Sequence, residues 1–466
     1  MRTWWAPTAC GASGLLSLAV FGFAALGPRY GGEAVVGVLD APPDCTPTVP
    51  RTTGARLLSG LVHETLFGVD SGGFPTPGLV ASWTSSASGR EWTLTLRQDV
   101  SFHDGRTLSS DDAARSLRRF LRSDSPAAVA FARQVEGGMD FRQLQTEELA
   151  GVLTPDPVHL VLRLQGLQAL PFASLAAAAA AVTSPRGAGC GPFVPSLPVD
   201  QASGYLLTAF SAHWRGRPLL DRVRLVRISD PDELRSSLES GRVQVAPEGS
   251  AAWTPAATLL LELDATRPPF SSRAARSSVA ASMDRVGLVR HFLAAGEVRS
   301  SLLPPSLLPP LGEVAPPRAT LLSGQIVLEV STEVPRLASQ RVVAHLAALG
   351  LQVRVWPVAS IRRTAAQARL SAWVPEVPEA GLALSELQPL AEHDPEVARW
   401  MEAAWREPHL DRRRVLQHRA ERALLDQGCL VALAGIPVSF AAAARLHGLR
   451  VDASGRLILE DAWWEP

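Results

Sequence analysis

Two pairs of neighbouring polar residues have the residue types for acid–base chemistry. His103 is followed by Asp104, and His63 is followed by Glu64. Adjacent residues on a turn rarely face one another, and His63 lacks the second histidine that an HExxH zinc site requires. GxSxG, P-loop and GxGxxG elements are also absent from the sequence. We therefore expect no enzymatic activity, no metal site and no cofactor, and we interpret both pairs as structural.

The four cysteines are the other residues with reactive side chains. Cys10 lies in an N-terminal apolar stretch, whereas Cys45, Cys190 and Cys429 are far apart and form no CxxC pair. This spacing does not support a zinc site. Two alternatives stay open, namely one disulfide among the last three in an oxidising compartment, or three small buried thiols.

The charge balance and the N-terminus bear on where the protein works. The sequence has 45 basic and 45 acidic residues, so its formal net charge is zero and gives no electrostatic argument for nucleic-acid binding. Arg2 is followed by an uncharged stretch with an apolar centre at 14–26, which is typical of a secretory signal. Counted from Ala6, the stretch is also long enough for a membrane anchor. We expect export, with residues 1–30 as signal peptide or membrane anchor.

Strand and helix patterns alternate in the first half of the chain. Apolar periodicity predicts strands at 33–39, 91–97, 158–164, 205–209 and 222–228, and helices at 56–67, 109–121 and 232–238. The second of these helices has a clear start, because Ser109 can cap the backbone and Asp112 follows three residues later. His103 to Arg106 form a turn before it.

The second half makes a new start near residue 257. The patterns predict strands at 259–263, 325–330 and 351–356, and helices at 273–294, 336–349, 396–406 and 412–426. A strand, a helix and a strand in succession over 325–356 indicate parallel pairing, and hence an α/β fold. The Pro-rich residues 301–317 are expected to be irregular, and the last 30 residues return to short strand-like runs.

Several motifs occur in an order that is similar to a known family. They are PGLVASW (77–83), WTLTLRQDVSFHDGRTLSSDD (92–112), GCGPF (189–193), HWRGRPLLD (213–221) and DATRPPFSSRAAR (264–276). In this order they resemble the extracellular solute-binding proteins of family 5, the oligopeptide- and dipeptide-binding components of ABC importers. The resemblance covers nearly all of the chain after the N-terminal stretch, and it is weak from 300 to 370.

The resemblance implies an α/β, two-lobed periplasmic-binding-protein fold with an enlarged first lobe. Mixed sheets flanked by helices would form each lobe, with a hinge between them. Lobe I would comprise 31–255, with an inserted subdomain at roughly 75–190, lobe II would comprise 256–433, and 434–466 would return to lobe I. In such proteins the ligand favours the closed state by contacts that only this state provides.

The resemblance also implies ligand-binding residues. Peptide binders of the family carry a Trp and, after two residues, Asp-Tyr-Pro-Asp-Pro, where this chain has Trp373 and then VPEVPE. Glu376 occupies the position of the aspartate that pairs with the ligand amine, although the stretch would alternatively be an exposed loop with ordinary acids. Trp373 is expected in the cleft wall or in the core, Phe193 near the hinge and cleft, and Asp264 replaces the usual Asn at the lobe crossing. Because the loop after the first strand approaches the cleft in the family, the preferred disulfide is Cys45–Cys190.

The resemblance implies an exported binding protein that captures a peptide or similar small solute for an ABC importer. Its partners would be the ligand and the permease subunits, and it would be a monomer in the periplasm or at the outer face of the cytoplasmic membrane. Membrane contact would occur only through the N-terminal segment or the permease. The chain is shorter than most relatives between about 300 and 370. The alternatives are a non-peptide solute such as a nickel chelate, an opine or an oligosaccharide, and an anchored sensor or scaffold without transport.

Overall fold

The computed structural model describes residues 27–40, 44–166, 172–196, 204–247, 256–310, 319–358, 366–392, 394–452 and 454–466. Most of the expected signal peptide or anchor, residues 1–26, lies outside these ranges. Within them, none of the helices has the length and apolar character that crossing a bilayer requires.

The first lobe contains a large mixed sheet and a smaller antiparallel one. Its strands are β1 (Glu33–Val38), β2 (Phe67–Val69), β3 (Pro75–Pro77), β4 (Val80–Ser85), β5 (Glu91–Leu96), β6 (Val152–Leu153), β7 (His159–Arg163), β8 (Phe193–Pro195), β9 (Gly204–Ala209), β10 (Arg222–Arg227) and β11 (Val245–Pro247). Its helices are α1 (Thr53–Val62), α2 (Ser110–Leu121), α3 (Pro126–Gln134), α4 (Gly138–Arg142) and α5 (Pro231–Glu239), with short 3-10 helices at Ala173–Ala176 and Ala178–Ala180.

The large sheet of the first lobe forms around β1. This strand pairs in parallel with β10, with Glu33 opposite Arg222, and it also pairs in parallel with β11. Helix α1 packs its apolar face, including Leu57 and Leu61, into the same core as Val36 of β1. The position of α1 is therefore set by the burial of this face, which places the start of the helix at the cleft described below.

The smaller sheet has the strand order β4-β5-β7-β6 and is covered by α2. The predicted capping box at the start of α2 is confirmed. The Ser109 hydroxyl accepts a hydrogen bond from the Asp112 amide, while the Asp112 carboxylate accepts one from the Ser109 amide. Gly105 has φ +83° in the preceding turn, a conformation that favours glycine.

The second lobe contains another six-stranded mixed sheet. Its strands are β12 (Ala256–Leu263), β13 (Glu297–Val298), β14 (Gly324–Ser331), β15 (Leu351–Val358), β16 (Ala368–Trp373) and β17 (Leu430–Pro437), in the order β13-β17-β12-β16-β14-β15. Its helices are α6 (Arg273–Ser282), α7 (Arg285–Phe292), α8 (Arg336–Ala348), α9 (Ala380–Leu387), α10 (Pro395–Arg406) and α11 (Leu410–Asp426), with a short 3-10 helix at Gln388–Leu390. The predicted parallel pairing of β14 with β15 across α8 is confirmed.

The C-terminal residues rejoin the first sheet. They form β18 (Phe440–Ala442), β19 (Leu446–His447), β20 (Arg450–Val451), β21 (Leu457–Ile458) and β22 (Trp463–Trp464). Strand β18 pairs antiparallel with β11, which completes the first-lobe order β18-β11-β1-β10-β9-β8. The chain thus passes between the two large sheets before β12 and again after β17.

Two predicted helices differ from those observed. The helix expected over 273–294 is two helices, because Met283 is extended and the Asp284 carboxylate accepts the Gly287 amide to start α7. The helix expected over 56–67 ends at Val62, because His63 is extended and its ring lies 2.5 Å (Nε2 to O) from the Cys45 carbonyl. Apolar periodicity continues through both breaks, which is why it did not reveal them.

Candidate ligand-binding cleft

A cavity of about 740 Å³ lies between the two lobes. Its first-lobe wall is formed by the segment before α1, by the first turn of α1 and by the segment between α2 and α3. Its second-lobe wall is formed by β12, β14, β16 and α9. The charged residues that line it are Arg51, Arg56, Asp124, Glu262, Glu333, Arg369, Glu376 and Glu386. Apolar and small polar residues complete the lining: Val49, Pro50, Pro126, Ser331, Ser371, Ala372, Trp373, Val374, Pro389 and Leu390.

Glu376, the residue expected to pair with a ligand amine, lines this cavity. It stands between β16 and α9 in a segment held by the buried side chains of Val374 and Val377. Its Oε2 accepts a hydrogen bond of 2.7 Å from the Ser125 hydroxyl of the first lobe. Although the Ala179 amide approaches the carboxyl group, Oε1 is buried and has no partner of hydrogen-bond geometry within the described residues. One oxygen of Glu376 therefore bridges the lobes, and the other is available to a ligand.

A second carboxyl group lies beside Glu376. Glu386 of α9 accepts hydrogen bonds from the Glu376 amide at 2.9 Å and from Trp373 Nε1 at 3.1 Å. Burial and the nearby Glu386 raise the pKa of Glu376 to about 8, against the opposing effect of the Ser125 hydroxyl. Burial likewise raises the pKa of Glu386. These two carboxyl groups therefore hold protons more strongly than ordinary glutamates do.

Glu333 joins the second lobe to the start of α1. Its Oε1 accepts a hydrogen bond of 2.6 Å from the Thr53 amide, and its Oε2 lies 3.8 Å from Nη2 of Arg56. Arg56 also donates from Nη1 to the Pro50 carbonyl, at 3.3 Å. The two contacts of Glu333, together with the contact between Ser125 and Glu376, connect the two lobes across the cleft.

The strands of the second-lobe wall carry another group of charged side chains. Glu262 of β12 stands opposite Arg369 of β16 in the antiparallel pairing, and Arg369 Nε lies 3.3 Å from Glu329 Oε2. At the rim, Arg51 pairs with Asp124 at 3.2 Å, and both side chains are exposed. The arginines of the cleft are thus already engaged with carboxylates.

A smaller cavity of about 260 Å³ shares Arg56 and Glu376 with the first in its lining. It is also lined by polar residues of the first lobe, among them His63, Glu64 and Arg456. Burial lowers the pKa of His63 to about 4, so this ring is neutral at physiological pH.

Two residues expected at the site lie elsewhere. Phe193 has no exposed surface, because it packs into the core beneath α1, and it is not part of the cavity wall. Asp264 also lies outside the cavity wall, where its Oδ1 accepts hydrogen bonds from the amide and the hydroxyl of Thr266. Their motifs reflect packing and a turn, so the structure brings together only Trp373 and Glu376 of the four expected residues.

The Cys45–Cys190 disulfide is absent from the structure. Cys45, Cys190 and Cys429 are free thiols, and Cys45 packs against the core of the large first-lobe sheet whereas Cys190 lies in the core of the small one. Burial raises the pKa of both thiols. No cluster of three or more His, Cys, Asp or Glu side chains able to hold a metal ion occurs in the described part of the chain.

Arg56, Glu333 and Glu386 are among the cleft residues that the sequence patterns did not identify. Arg56 and Glu386 each carry a charge within an otherwise apolar helix, in ARLLSGLV and LALSEL, and this is a usable signal for a buried site. Glu333 gives no such signal, since its role depends on a contact with Thr53, 280 positions away.

Comparison with known proteins agrees with this architecture. The family described as bacterial extracellular solute-binding proteins, family 5 Middle, matches residues 75–320, more than half of the chain. The nickel-binding periplasmic protein of Escherichia coli is 22% identical over 285 residues, which cover 55% of this chain and 53% of that protein. The chain thus aligns with about half the length of this relative.

Solved structures show the same two-lobed fold. A periplasmic binding protein of Helicobacter pylori in complex with the peptide STSA superimposes with a TM-score of 0.79 at 16% identity, over 94% of this chain and 99% of that one. The murein tripeptide binding protein of Escherichia coli gives a TM-score of 0.80 at 16% identity over the same shares. The predicted α/β two-lobed fold is confirmed. From the extent of the family match, the chain belongs to the bacterial extracellular solute-binding proteins of family 5.

Proposed function

We propose that this protein captures a peptide, or a similar small solute with a free amine, in the cleft between its lobes and delivers it to an ABC importer. The observation that carries the proposal is Glu376, a buried carboxyl group in the cleft with one oxygen that lacks a hydrogen-bond partner within the described residues. The protein acts as a binding protein and not as an enzyme. Its ligand and the permease subunits are its partners.

A ligand ammonium group would change the state of Glu376. A cation in hydrogen-bond contact favours the ionised carboxylate, which opposes the effects of burial and of Glu386. The resulting charge-assisted hydrogen bond contributes about 1.5–3 kcal/mol in a sheltered site. Capture of the amine and loss of the Glu376 proton therefore occur together.

The cavity volume agrees with a small ligand. Sites for small molecules usually occupy about 300–1,000 Å³, and the cleft has about 740 Å³. Trp373 and Leu390 supply apolar surface, while Ser331, Ser371 and the charged groups supply polar contacts. This mixture suits a short peptide, whose backbone is polar and whose side chains vary.

A metal chelate is the second candidate for the ligand, because one relative is a nickel-binding periplasmic protein. No cluster of protein ligands for a bare metal ion occurs among the described residues, so the metal would have to arrive with its own ligands. The chelating molecule would then contact the arginines of the cleft. The third alternative, an anchored protein that keeps the fold without taking part in transport, would bind neither peptides nor metal chelates.

The ligand class is tested by releasing ligands from the purified protein through unfolding and identifying them by mass spectrometry. Thermal shifts across a library of short peptides, and across nickel with and without chelators, provide the second measurement. Peptide release or peptide-specific shifts support the proposal. Shifts with metal chelates alone would replace it with the second candidate, and a complete lack of ligand would favour the protein without transport.

The role of Glu376 is tested by the Glu376→Ala variant. We expect its affinity for an amine-bearing ligand to fall at least tenfold, about 1.4 kcal/mol, in titration calorimetry. Glu147→Ala is the matched control, since Glu147 is an exposed glutamate remote from the cavity wall. Equal affinities for Glu376→Ala and the unmodified protein would refute the assignment.

We further propose that the protein is exported and works as a monomer, in the periplasm or at the outer face of the cytoplasmic membrane. The basic start and the apolar run of residues 1–30 support this proposal. Cell fractionation combined with N-terminal sequencing tests it and distinguishes a cleaved signal from a retained anchor.

A further inference from the structure

The contact between Glu333 and α1 has the chemistry of a bound carboxylate. Glu333 belongs to the segment between β14 and α8 of the second lobe, but both of its oxygens are directed at the first lobe. One accepts the Thr53 amide at 2.6 Å, and the other lies 3.8 Å from the Arg56 guanidinium. A peptide C-terminus or another carboxylate would meet the same two donors.

Thr53 is the first residue of α1, and amides of the first helical turn lack acceptors within the helix. The hydroxyl of Thr52 accepts a hydrogen bond from the Ala55 amide, at 3.2 Å, and the Glu333 carboxylate accepts one from the Thr53 amide. The positive end of the helix dipole and the Arg56 charge both favour an anion at this position. At the start of α1, the Ala55 amide thus has an acceptor close to it in the chain, whereas the Thr53 amide takes its acceptor from across the cleft.

Arg56 provides the second, independent observation. Its side chain is only 8% exposed and lines the cavity, and its Nε is buried without a hydrogen-bond partner within the described residues. Nη1 and Nη2 face Pro50 and Glu333. A buried guanidinium with an unsatisfied N–H can donate a hydrogen bond to one more oxygen than the protein supplies here.

Charged groups around this position come from several segments of both lobes. Arg51 precedes α1, Asp124 precedes α3, Glu333 follows β14, Glu376 follows β16 and Glu386 lies in α9. Glu333 is the carboxylate at ion-pair distance from Arg56, with 3.8 Å between Oε2 and Nη2. A ligand carboxylate in the place of Glu333 would leave the charge beside Arg56 unchanged.

We infer that the start of α1 and Arg56 form a carboxylate-binding site of the cleft, which Glu333 fills and which a ligand carboxylate takes by displacing Glu333. Combined with the proposed function, on which this step rests, the inference defines the ligand class more closely. The ligand carries an ammonium group for Glu376 and a carboxylate for Arg56 and Thr53. An amidated or esterified ligand lacks the second contact.

The site itself is tested without knowledge of the natural ligand. Glu333→Ala removes the internal carboxylate, and acetate serves as the probe with acetamide as its neutral counterpart. We expect 0.2 M acetate, but not acetamide, to raise the melting temperature of Glu333→Ala by about 2 °C or more above its effect on the unmodified protein. Glu239→Ala, an exposed glutamate elsewhere in the first lobe, is the matched control and should show no extra shift.

Variants of Arg56 test whether its guanidinium binds the acetate. Glu333→Ala combined with Arg56→Gln should lose the acetate shift, while the combination with Arg56→Lys should keep part of it. Circular dichroism shows whether each variant is folded, and the Lys variant remains informative if the Gln variant is not. An equal response of Glu333→Ala and the control variant to acetate would overturn the inference.

A second experiment connects the site to ligand capture. The unmodified protein and Glu333→Gln are titrated with a short peptide that binds in the library screen, as the free acid and as the C-terminal amide. We expect the acid to bind at least tenfold more tightly than the amide, and Glu333→Gln to strengthen binding of the acid several-fold without strengthening that of the amide. Equal weakening of both by Glu333→Gln would show that Glu333 is a tether between the lobes, which overturns the inference. A protein that binds no peptide at all would refute the proposed function, while the acetate response would still report on the anion site.

Discussion

The two walls of the cleft differ in the sign of their charge. The first-lobe wall carries Arg51 and Arg56 against one acid, Asp124, whereas the second-lobe wall carries four glutamates against one arginine, Arg369. The positive wall also includes the N-terminal end of α1. The lobes are therefore complementary to one another before any ligand arrives. A zwitterionic ligand would exchange contacts that the lobes make with each other for contacts with itself, which lowers the cost of burying charges.

Reversal of the positive wall should have the largest effect on this complementarity. Arg56→Glu would place a carboxylate beside Glu333 and Glu386 in a buried position. We expect the free energy of unfolding to fall by about 3–5 kcal/mol, together with loss of ligand binding, because a buried ion pair becomes a repulsive one. Denaturant titration measures the first effect and calorimetry the second.

Arg118→Glu is the control for this substitution, since Arg118 is an exposed arginine of α2. We expect it to change the free energy of unfolding by less than about 0.5 kcal/mol. Similar losses in the two variants would mean that the charge of the first-lobe wall has no special role.

The negative wall makes binding depend on pH. Because burial and Glu386 raise the pKa of Glu376 to about 8, the carboxyl group is mostly protonated at pH 6 and must ionise to pair with an ammonium group. We expect affinity for an amine-bearing ligand to rise by about tenfold between pH 6 and pH 7, where ligand amines stay protonated. Calorimetry at both pH values measures the change, and Glu376→Gln should remove it. Affinity that falls over this interval would contradict the proposed role.

The direct bond between the walls is expected to contribute less. Ser125→Ala removes the hydroxyl that donates to Glu376 and should lower the free energy of unfolding by about 1 kcal/mol. Without this opposing hydrogen bond, the pKa of Glu376 should rise further, so the pH dependence of binding should shift to higher pH. Ser236→Ala, at an exposed serine of α5 that does not line the cavity, is the control.

The smallest effect on ligand affinity is expected for a substitution outside both walls of the cleft. Asp264→Asn restores the residue that the family motif carries, but Asp264 lies in a turn with Thr266 and does not line the cavity. We expect ligand affinity to change less than twofold. A tenfold change would show that the cleft extends beyond its present walls.

The sequence predicted the fold far better than the site. Motifs such as the capping box at Ser109 and the strand, helix and strand over 324–358 are local, so their periodicity and capping residues specify them directly. The order of the motifs then indicated two lobes. The break between α6 and α7 was missed because it depends on one capping contact of Asp284 within a continuous apolar pattern.

Only Trp373 and Glu376 of the cleft could be predicted, because they belong to a local motif. The partners that define their environment are distant in the chain. Ser125 meets Glu376 across 251 positions, and Thr53 meets Glu333 across 280. No spacing rule connects such residues, and Phe193, which was predicted from its motif alone, proved to be a core residue.

The hydrogen bond from the Thr53 amide to Glu333 has a consequence for observing the protein in solution. The acceptor of this amide lies in the other lobe, so separation of the lobes leaves the amide to water, while the rest of α1 keeps its own bonds. The deuterium uptake of this single amide would then report the fraction of molecules with separated lobes. The protein thus contains a natural probe of its own opening, which requires neither a label nor knowledge of the solute.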